Sequence, residues 1–232
     1  MGTQERRERE RQETRRRILD AARELFARDG YDAVSMRRVA QKIEYSATAL
    51  YFHFKDKDAL FRELCNADFL ELARAFHVLA RIEDPVERLR QIGLAYVQFG
   101  IDHRNHSRLM FMTPHPPIPP EDLTVQKGNP ESDAYAFFMS TIRECIATGR
   151  FRPQYDDPDL IAQMMWAGTH GVIALHIIMA CNGEWVDWRP PMQTAAAQID
   201  AVTRGMLRPD DSVHTTVVTA RAPGKEHRSP KA

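Results

Sequence analysis

The segment from Val34 to Phe61, VSMRRVAQKIEYSATALYFHFKDKDALF, constrains the fold more than any other stretch of the chain. Ser35 stands where an N-cap belongs, ahead of Met36-Arg37-Arg38-Val39-Ala40-Gln41-Lys42-Ile43, and Val34 and Val39 are spaced as a hydrophobic staple. A polar break, Glu44-Tyr45, leads to a second cap, Ser46, and to Ala47-Thr48-Ala49-Leu50-Tyr51-Phe52-His53. Each predicted helix is only about two turns long. Helices this short are marginal alone in water, because nucleation costs more than so few residues recover by propagation. Neighbouring elements must hold them, and Val39, Ala40, Ile43, Leu50 and Phe54 are the side chains expected in the shared core.

The neighbours follow from the same periodicity. From Thr14 to Arg28, Ile18, Ala21, Ala22, Leu25 and Phe26 recur at helical spacing, and Gly30 sits where a left-handed C-cap is expected. A fourth helix starts near Asp56 or Lys57 and runs to about Arg81, with Leu60, Leu64, Ala67, Leu70 and Phe76 apolar. Asp84 caps the next, with Pro85 at its first position, through Leu89, Ile92, Ala95, Tyr96 and Phe99 to about His103. A short helix at Leu109-Met110-Phe111-Met112 stops at Thr113, beyond which five prolines between Pro114 and Pro120 force an extended loop.

Helix is expected again from about Glu131 to Gly149, from Asp157 to Asn182 and from Met192 to Met206. Leu160 to Leu175 is apolar nearly all round, so it should be covered on several sides. Within it Ala167, Gly171 and Ala174 form a small-residue strip that permits close approach by another helix, and the last helix offers Ala195, Ile199, Val202 and Met206 on one face. The expected class is all-α. The divisions are a three-helix N-terminal domain over 12–72, a larger helical domain over 73–207 and a disordered tail over 208–232, rich in Ser, Thr, Pro and charge.

Composition narrows the function classes. A chain of 232 residues with 43% apolar and 28% charged residues can bury one or two cores. No uninterrupted apolar run approaches the ~18 residues of a membrane span, and the start is polar and Arg-rich. The expectation is a soluble cytoplasmic protein with no membrane partner. Cys65, Cys145 and Cys181 each fall inside an apolar helical pattern and read as buried thiols. Formal net charge is zero, yet the first 57 residues carry 14 Lys and Arg against 10 Asp and Glu. That basic end can meet a polyanion. The arginines from Arg6 to Arg17 alternate with Glu5, Glu8, Glu10 and Glu13, however, and read equally as a solvated helix face.

Two short helices joined by a tight turn form a helix-turn-helix, whose second helix enters the major groove while flanking residues grip phosphates. Ala47, Thr48 and Ala49 are small enough for close approach, and Thr48 can bond a base or give its methyl to thymine. Tyr51, His53, Lys55 and Lys57 can hold phosphate oxygens. The pattern Ser46-x-x-x-Leu50-Tyr51-x-His53-Phe54-Lys55-Asp56-Lys57-Asp58-x-Leu60-Phe61, preceded by Ala21-x-x-Leu25-Phe26-x-x-x-Gly30-Tyr31 and Ser35-Met36-Arg37-x-Val39-Ala40, closely resembles the DNA-binding domain of the TetR family of transcriptional regulators.

The resemblance implies that Arg37 contacts the groove or a phosphate, that Ser46, Ala47, Thr48 and Ala49 are the reading turn, and that Tyr51, His53 and Lys57 are phosphate anchors. It further implies a homodimer on a palindromic operator in double-stranded DNA and a small-molecule effector. The sequence departs from the family at Glu44-Tyr45, where a Gly and a small apolar residue are usual. Trp166-x-x-x-His170-Gly171 resembles an element found in a subgroup of the family's C-terminal domains.

Eight of the ten methionines lie between Met110 and Met206, in company with Phe99, Phe111, Phe137, Phe138 and Trp166. They read either as core filling or as an adaptable pocket for an apolar or aromatic effector, with Phe99, Phe111, Met112, Phe137, Trp166 and His170 as candidate lining. No enzymatic signature accompanies them. His103 and His106, like His170 and His176, lack the carboxylate of a helical metal site, and no G-x-S-x-G, Walker loop or G-x-G-x-x-G occurs. No catalysis, cofactor or metal is expected. The rival readings are an architectural DNA-binding protein without an effector and a helical metal-dependent enzyme.

Overall fold

The computed structural model describes residues 3–119, 124–179 and 186–209. Among these there are nine α-helices and no strand beyond one isolated antiparallel bridge between Phe151 and Leu207. The helices are α1 (Thr3–Asp29), α2 (Met36–Lys42), α3 (Ala47–Tyr51), α4 (Lys57–His77), α5 (Pro85–Asp102), α6 (Arg104–Phe111), α7 (Ala134–Ala147), α8 (Pro158–Met179) and α9 (Pro191–Met206).

Side-chain caps set most of the starts. Ser35 accepts from the Arg38 N–H, Ser46 from Ala49, Asp56 from Ala59 and Asp84 from Val86, each satisfying an orphan donor of a first turn. Asp133 accepts from both Tyr135 and Ala136, which places the start of α7 after Asp133 rather than at the expected Glu131. The fourth helix ends at His77 and tightens into a 3₁₀ turn over Val78–Arg81. The largest departure is α1, which begins at Thr3 and not near Thr14. Its first turns have no apolar stripe and are held instead by local pairs such as Arg6–Glu10 (2.9 Å) and Gln12–Glu8 (2.7 Å), a pattern apolar periodicity does not register.

Two hydrophobic clusters organise the chain. One gathers Ile18, Ala22, Leu25 and Phe26 of α1 with Val34, Val39, Ala40, Ile43, Leu50 and Phe54, so the five core residues expected from the sequence are all buried. The other is built from α5, α7, α8 and α9. Helix α4 serves both: Leu60, Phe61, Leu64 and Cys65 belong to the first, Leu72, Ala73 and Phe76 to the second, and Phe69 packs against each. Helix α6 divides in the same way, with Leu109 in the first cluster and Met110 in the second. Between them, Arg23 of α1 clasps the fully buried Asp68 of α4 through Nη2 (2.7 Å) and Nε (3.1 Å). Burial is the main reason the Asp68 carboxyl is pushed up to about 6 despite that partner.

Helix α8 is long and apolar enough to cross a membrane. Ile161, Ala162, Met165, Thr169, Ile173 and Ile177 are buried within the bundle, whereas Leu160, Met164, Leu175 and Ile178 are exposed. Cys65 and Cys145 are buried free thiols, and Cys181 lies outside the described residues. Of the tail, residues 210–232 lie outside them too; Arg208 belongs to the fold, its N–H donating to the Arg150 carbonyl (3.1 Å) and its Nε to that of Phe151 (3.1 Å).

Candidate DNA-binding surface and ligand cavity

The turn between α2 and α3 is closed by two backbone bonds. The Tyr45 N–H reaches the Ala40 carbonyl (2.9 Å) and the Glu44 N–H reaches Gln41 (3.2 Å), the paired pattern of a Schellman C-cap. That cap needs a left-handed residue, and Glu44 takes it at φ +62°, alone among the described non-glycine residues. Tyr45 packs against the first cluster and under the Arg17 guanidinium (5.6 Å), so the unusual pair is accommodated without losing the turn.

The turn presents α3 outward. Arg37, Ser46, Thr48, Tyr51 and Lys55 are exposed, with Ala47 and Ala49 half-buried between them. His53 is half-buried under Arg15, whose Nη1 donates to the His53 carbonyl (2.9 Å) and whose guanidinium lies over the Phe54 ring (4.4 Å). Burial first, then the charges of Arg15 and Arg11, hold the His53 imidazole below its usual range. Lys57 turns inward, its Nζ donating to the Tyr31 carbonyl (3.1 Å) and lying 4.0 Å from the centre of the Tyr31 ring. Tyr31 in turn donates to Asp58. The sequence reading passed over Phe52, which follows α3 at 81% exposure, more than Tyr51 at 54%, and is the most exposed large apolar side chain described. Its signal was available in its spacing, since Phe52 falls four residues after Thr48 and hence on the same face.

A cavity of about 180 Å³ opens among α4, α5, α6, α7 and α8. Phe69, Leu72 and Phe76 line it from α4, Tyr96 from α5, Phe111 from α6, Phe138 from α7, and Met165 and Trp166 from α8. Phe111 joins its walls, edge-on to Phe69 (6.0 Å), Tyr96 (5.9 Å) and Trp166 (5.8 Å). Among the described residues no Lys or Arg lines it. The one carboxylate among the described lining residues, Asp133, is engaged with backbone N–H groups of Tyr135, Ala136 and Gly128.

Tyr96 is the polar hub. Trp166 Nε1 donates to its hydroxyl (2.9 Å), and the hydroxyl stands 3.0 Å from His170 Nδ1. Burial lowers the His170 pKa, and which of the two groups donates in the Tyr96–His170 contact is set by the His170 tautomer. The four-residue spacing of Trp166 and His170 therefore serves one hydroxyl.

Of the candidate lining residues, Phe111 and Trp166 border the cavity and His170 acts through Tyr96. Phe99, Met112 and Phe137 do not line it: Phe99 packs beside His103 (4.9 Å), Phe137 is buried in the core and Met112 rests on that core's edge. They share a helical periodicity with the residues that border the cavity but pack against other side chains. Among the described residues no three His, Cys, Asp or Glu side chains are grouped to hold a metal ion.

Comparison with known proteins bears on this arrangement. Residues 18–64 match the family model described as bacterial regulatory proteins, tetR family, and residues 89–185 match the tetracyclin repressor-like C-terminal domain. The chain is 49% identical over 59 residues to the HTH-type transcriptional repressor Rv1474c of Mycobacterium tuberculosis, which covers 25% of this chain and 32% of that protein. It is 33% identical over 93 residues to the regulator UidR of Escherichia coli, covering 40% and 42% respectively. It thus matches less than half the length of these two relatives. To the regulator AcrR of Shigella flexneri it is 31% identical over 144 residues, 59% of this chain and 66% of AcrR. Among solved structures, a Rhodococcus protein of unknown function superposes with a TM-score of 0.65 at 26% identity, over 84% of this chain and 95% of that one. The regulator PfmR of Thermus thermophilus does so at 0.64 and 24% identity, over 83% and 96%. An exposed, capped helix-turn-helix on a helical body, matched by both family models, places the chain in the TetR family of bacterial regulatory proteins.

Proposed function

We propose that the chain is a homodimeric, one-component repressor that holds a palindromic operator in double-stranded DNA and is released by a small, uncharged apolar or aromatic effector. Residues 12–72 act as the DNA-binding domain and 73–207 as the effector-binding and dimerisation domain. Ser46, Ala47, Thr48 and Ala49 read base edges, Arg37 enters the groove or meets a phosphate, and Tyr51, His53 and Lys55 anchor phosphates. Lys57 joins them only by leaving Tyr31, so part of its effect is structural. The exposed apolar side chains Leu160, Met164, Leu175 and Ile178 of α8, together with α9, form the dimer seam and present two reading helices to half-sites about 34 Å apart. The protein works in the cytoplasm by binding, without catalysis, cofactor or metal.

The observation that carries the effector reading is the position of the cavity. Phe69, Leu72 and Phe76 in its wall belong to the same helix whose first half, through Leu60, Phe61 and Leu64, packs the helix-turn-helix. A ligand between α4 and α8 therefore acts on the orientation of the reading head through one continuous helix. To lower occupancy appreciably it has to prefer the released arrangement by about 1–3 kcal/mol. Among the described residues the lining holds no cation, which favours an uncharged ligand, since a buried carboxylate or phosphate would lose its hydration without a partner.

The test is selection of bound fragments from source-genome DNA, followed by titration of the complex with neutral aromatic compounds and their carboxylated analogues. Release by the neutral series, abolished in Phe111→Trp, supports the reading. Tight DNA binding with no sequence preference would instead make the protein architectural.

A further inference from the structure

The first turns of α1 form a surface that the reading helix does not account for. Residues 4–13 are exposed, so the helix projects past the core that holds its second half. Residues three and four apart share a helix face, and Ile18, Ala22 and Leu25 mark the face turned to the core. Arg15, Arg11 and Arg7 continue that stripe outward. The inward face of α1 therefore changes from apolar to arginine where the core ends.

Arg15 fixes the direction in which this stripe points. It pairs with Glu63, donates to the His53 carbonyl (2.9 Å) and lies over Phe54 (4.4 Å), which puts it against the segment just after α3. Arg11 and Arg7 follow about 6 and 12 Å further along the axis at 1.5 Å per residue. Arg11 is close enough for its charge to depress the basicity of His53. On the far side of the same turns Arg6 pairs with Glu10 (2.9 Å), while Glu8, three residues before Arg11, keeps its charge and accepts a hydrogen bond from Gln12 Nε2 (2.7 Å). Among the described residues no carboxylate lies within ion-pair distance of Arg7 or Arg11.

We infer that Arg7 and Arg11 form a phosphate grip on duplex DNA, continuous with the surface of α3 and reaching backbone beyond the half-site it faces. The inference rests on the chain being a DNA-binding regulator. Two uncompensated guanidiniums on the side of the reading head suit a polyanion, and bidentate donors match phosphate oxygens. The contact carries no base information. Its contribution is affinity and salt dependence, because each neutralised phosphate releases condensed counterions.

The experiment measures log K against log salt concentration on a random-sequence duplex of about 40 base pairs, so that no operator is needed. Wild-type protein is compared with Arg7→Ala/Arg11→Ala and with the charge-matched Arg6→Ala/Arg16→Ala on the far side of α1. With a slope of about −0.9 per phosphate contact, the first pair should make the slope shallower by about two per chain and weaken binding by at least about tenfold at 0.1 M salt. The second pair should change the slope by well under one. Both pairs remove the same charge and raise helix propensity, so neither is expected to unfold the protein. Equal slopes in all three proteins, or equal losses in both variants, overturn the grip while leaving the regulator reading intact. Failure of the wild type to bind DNA at low salt overturns both.

Discussion

Replacing Glu44 by glycine isolates the strain in the turn from its charge. Glu44 sits at φ +62° in the left-handed position of the Schellman cap. A residue with a Cβ pays about 1–2 kcal/mol there, and glycine does not. Glycine costs more backbone entropy on folding, about 0.5–1 kcal/mol relative to alanine. The net expectation is that Glu44→Gly is more stable than Glu44→Ala by roughly 0.5–1 kcal/mol, because alanine keeps the Cβ and the strain. For a chain of 232 residues that corresponds to a Tm higher by about 1–4 °C, measurable by circular dichroism. Both variants remove the same carboxylate from beside the reading helix, so both should tighten DNA binding equally. The reasoning is refuted if glycine is no more stable than alanine, or if only one variant gains affinity.

Other perturbations test other parts of the structure. Gly100→Ala would place a Cβ 2.6 Å from Ile173 Cδ1 in a fully buried site and should destabilise by about 1–3 kcal/mol in urea titration. Burial pushes the Cys65 and Cys145 thiols up to about 12, so in a Cys181→Ser background neither should react with a thiol reagent at pH 8 until the protein unfolds. Burial, then Arg23 and His103, hold His106 down to about 3, so the unfolded chain takes up a proton there that the folded chain refuses. Its stabilising contribution is complete above pH 6.5 and declines as pH falls toward 3, with Glu71 (3.4 Å) and Asp68 (3.6 Å) at Nδ1 offsetting part of the decline; His106→Gln should therefore lose less stability than wild type between pH 7 and pH 5 in urea titration. Thr48→Ala should shift preference at one base pair in a randomised-site selection, whereas Phe52→Ala should weaken DNA binding without lowering Tm, since Phe52 packs on little of the protein.

The caps at Ser35, Ser46 and Asp84, the shared core of Val39, Ala40, Ile43, Leu50 and Phe54, and the trouble at Glu44 were all legible in the sequence. Each depends on residues a few positions apart, and two helices too short to stand alone leave few ways of being held. The same local rules missed the start of α1, where i,i+4 charge pairs replace an apolar stripe. They also put Phe99, Met112 and Phe137 among the candidate lining, none of which borders the cavity, and did not name Phe69, Leu72, Phe76 and Tyr96 there. Periodicity states that a side chain points inward; it does not state whether the space opposite is filled. A cavity is a place where several helices from distant parts of the chain fail to meet, so its walls exist only once the helices are packed. The inward turn of Lys57 onto Tyr31, the two bonds that converge on Tyr96, and the face on which Arg7 and Arg11 emerge have the same origin. Local sequence determined which segments became helices and how each one begins; only tertiary packing, through contacts tens of residues apart, decided what each helix face meets.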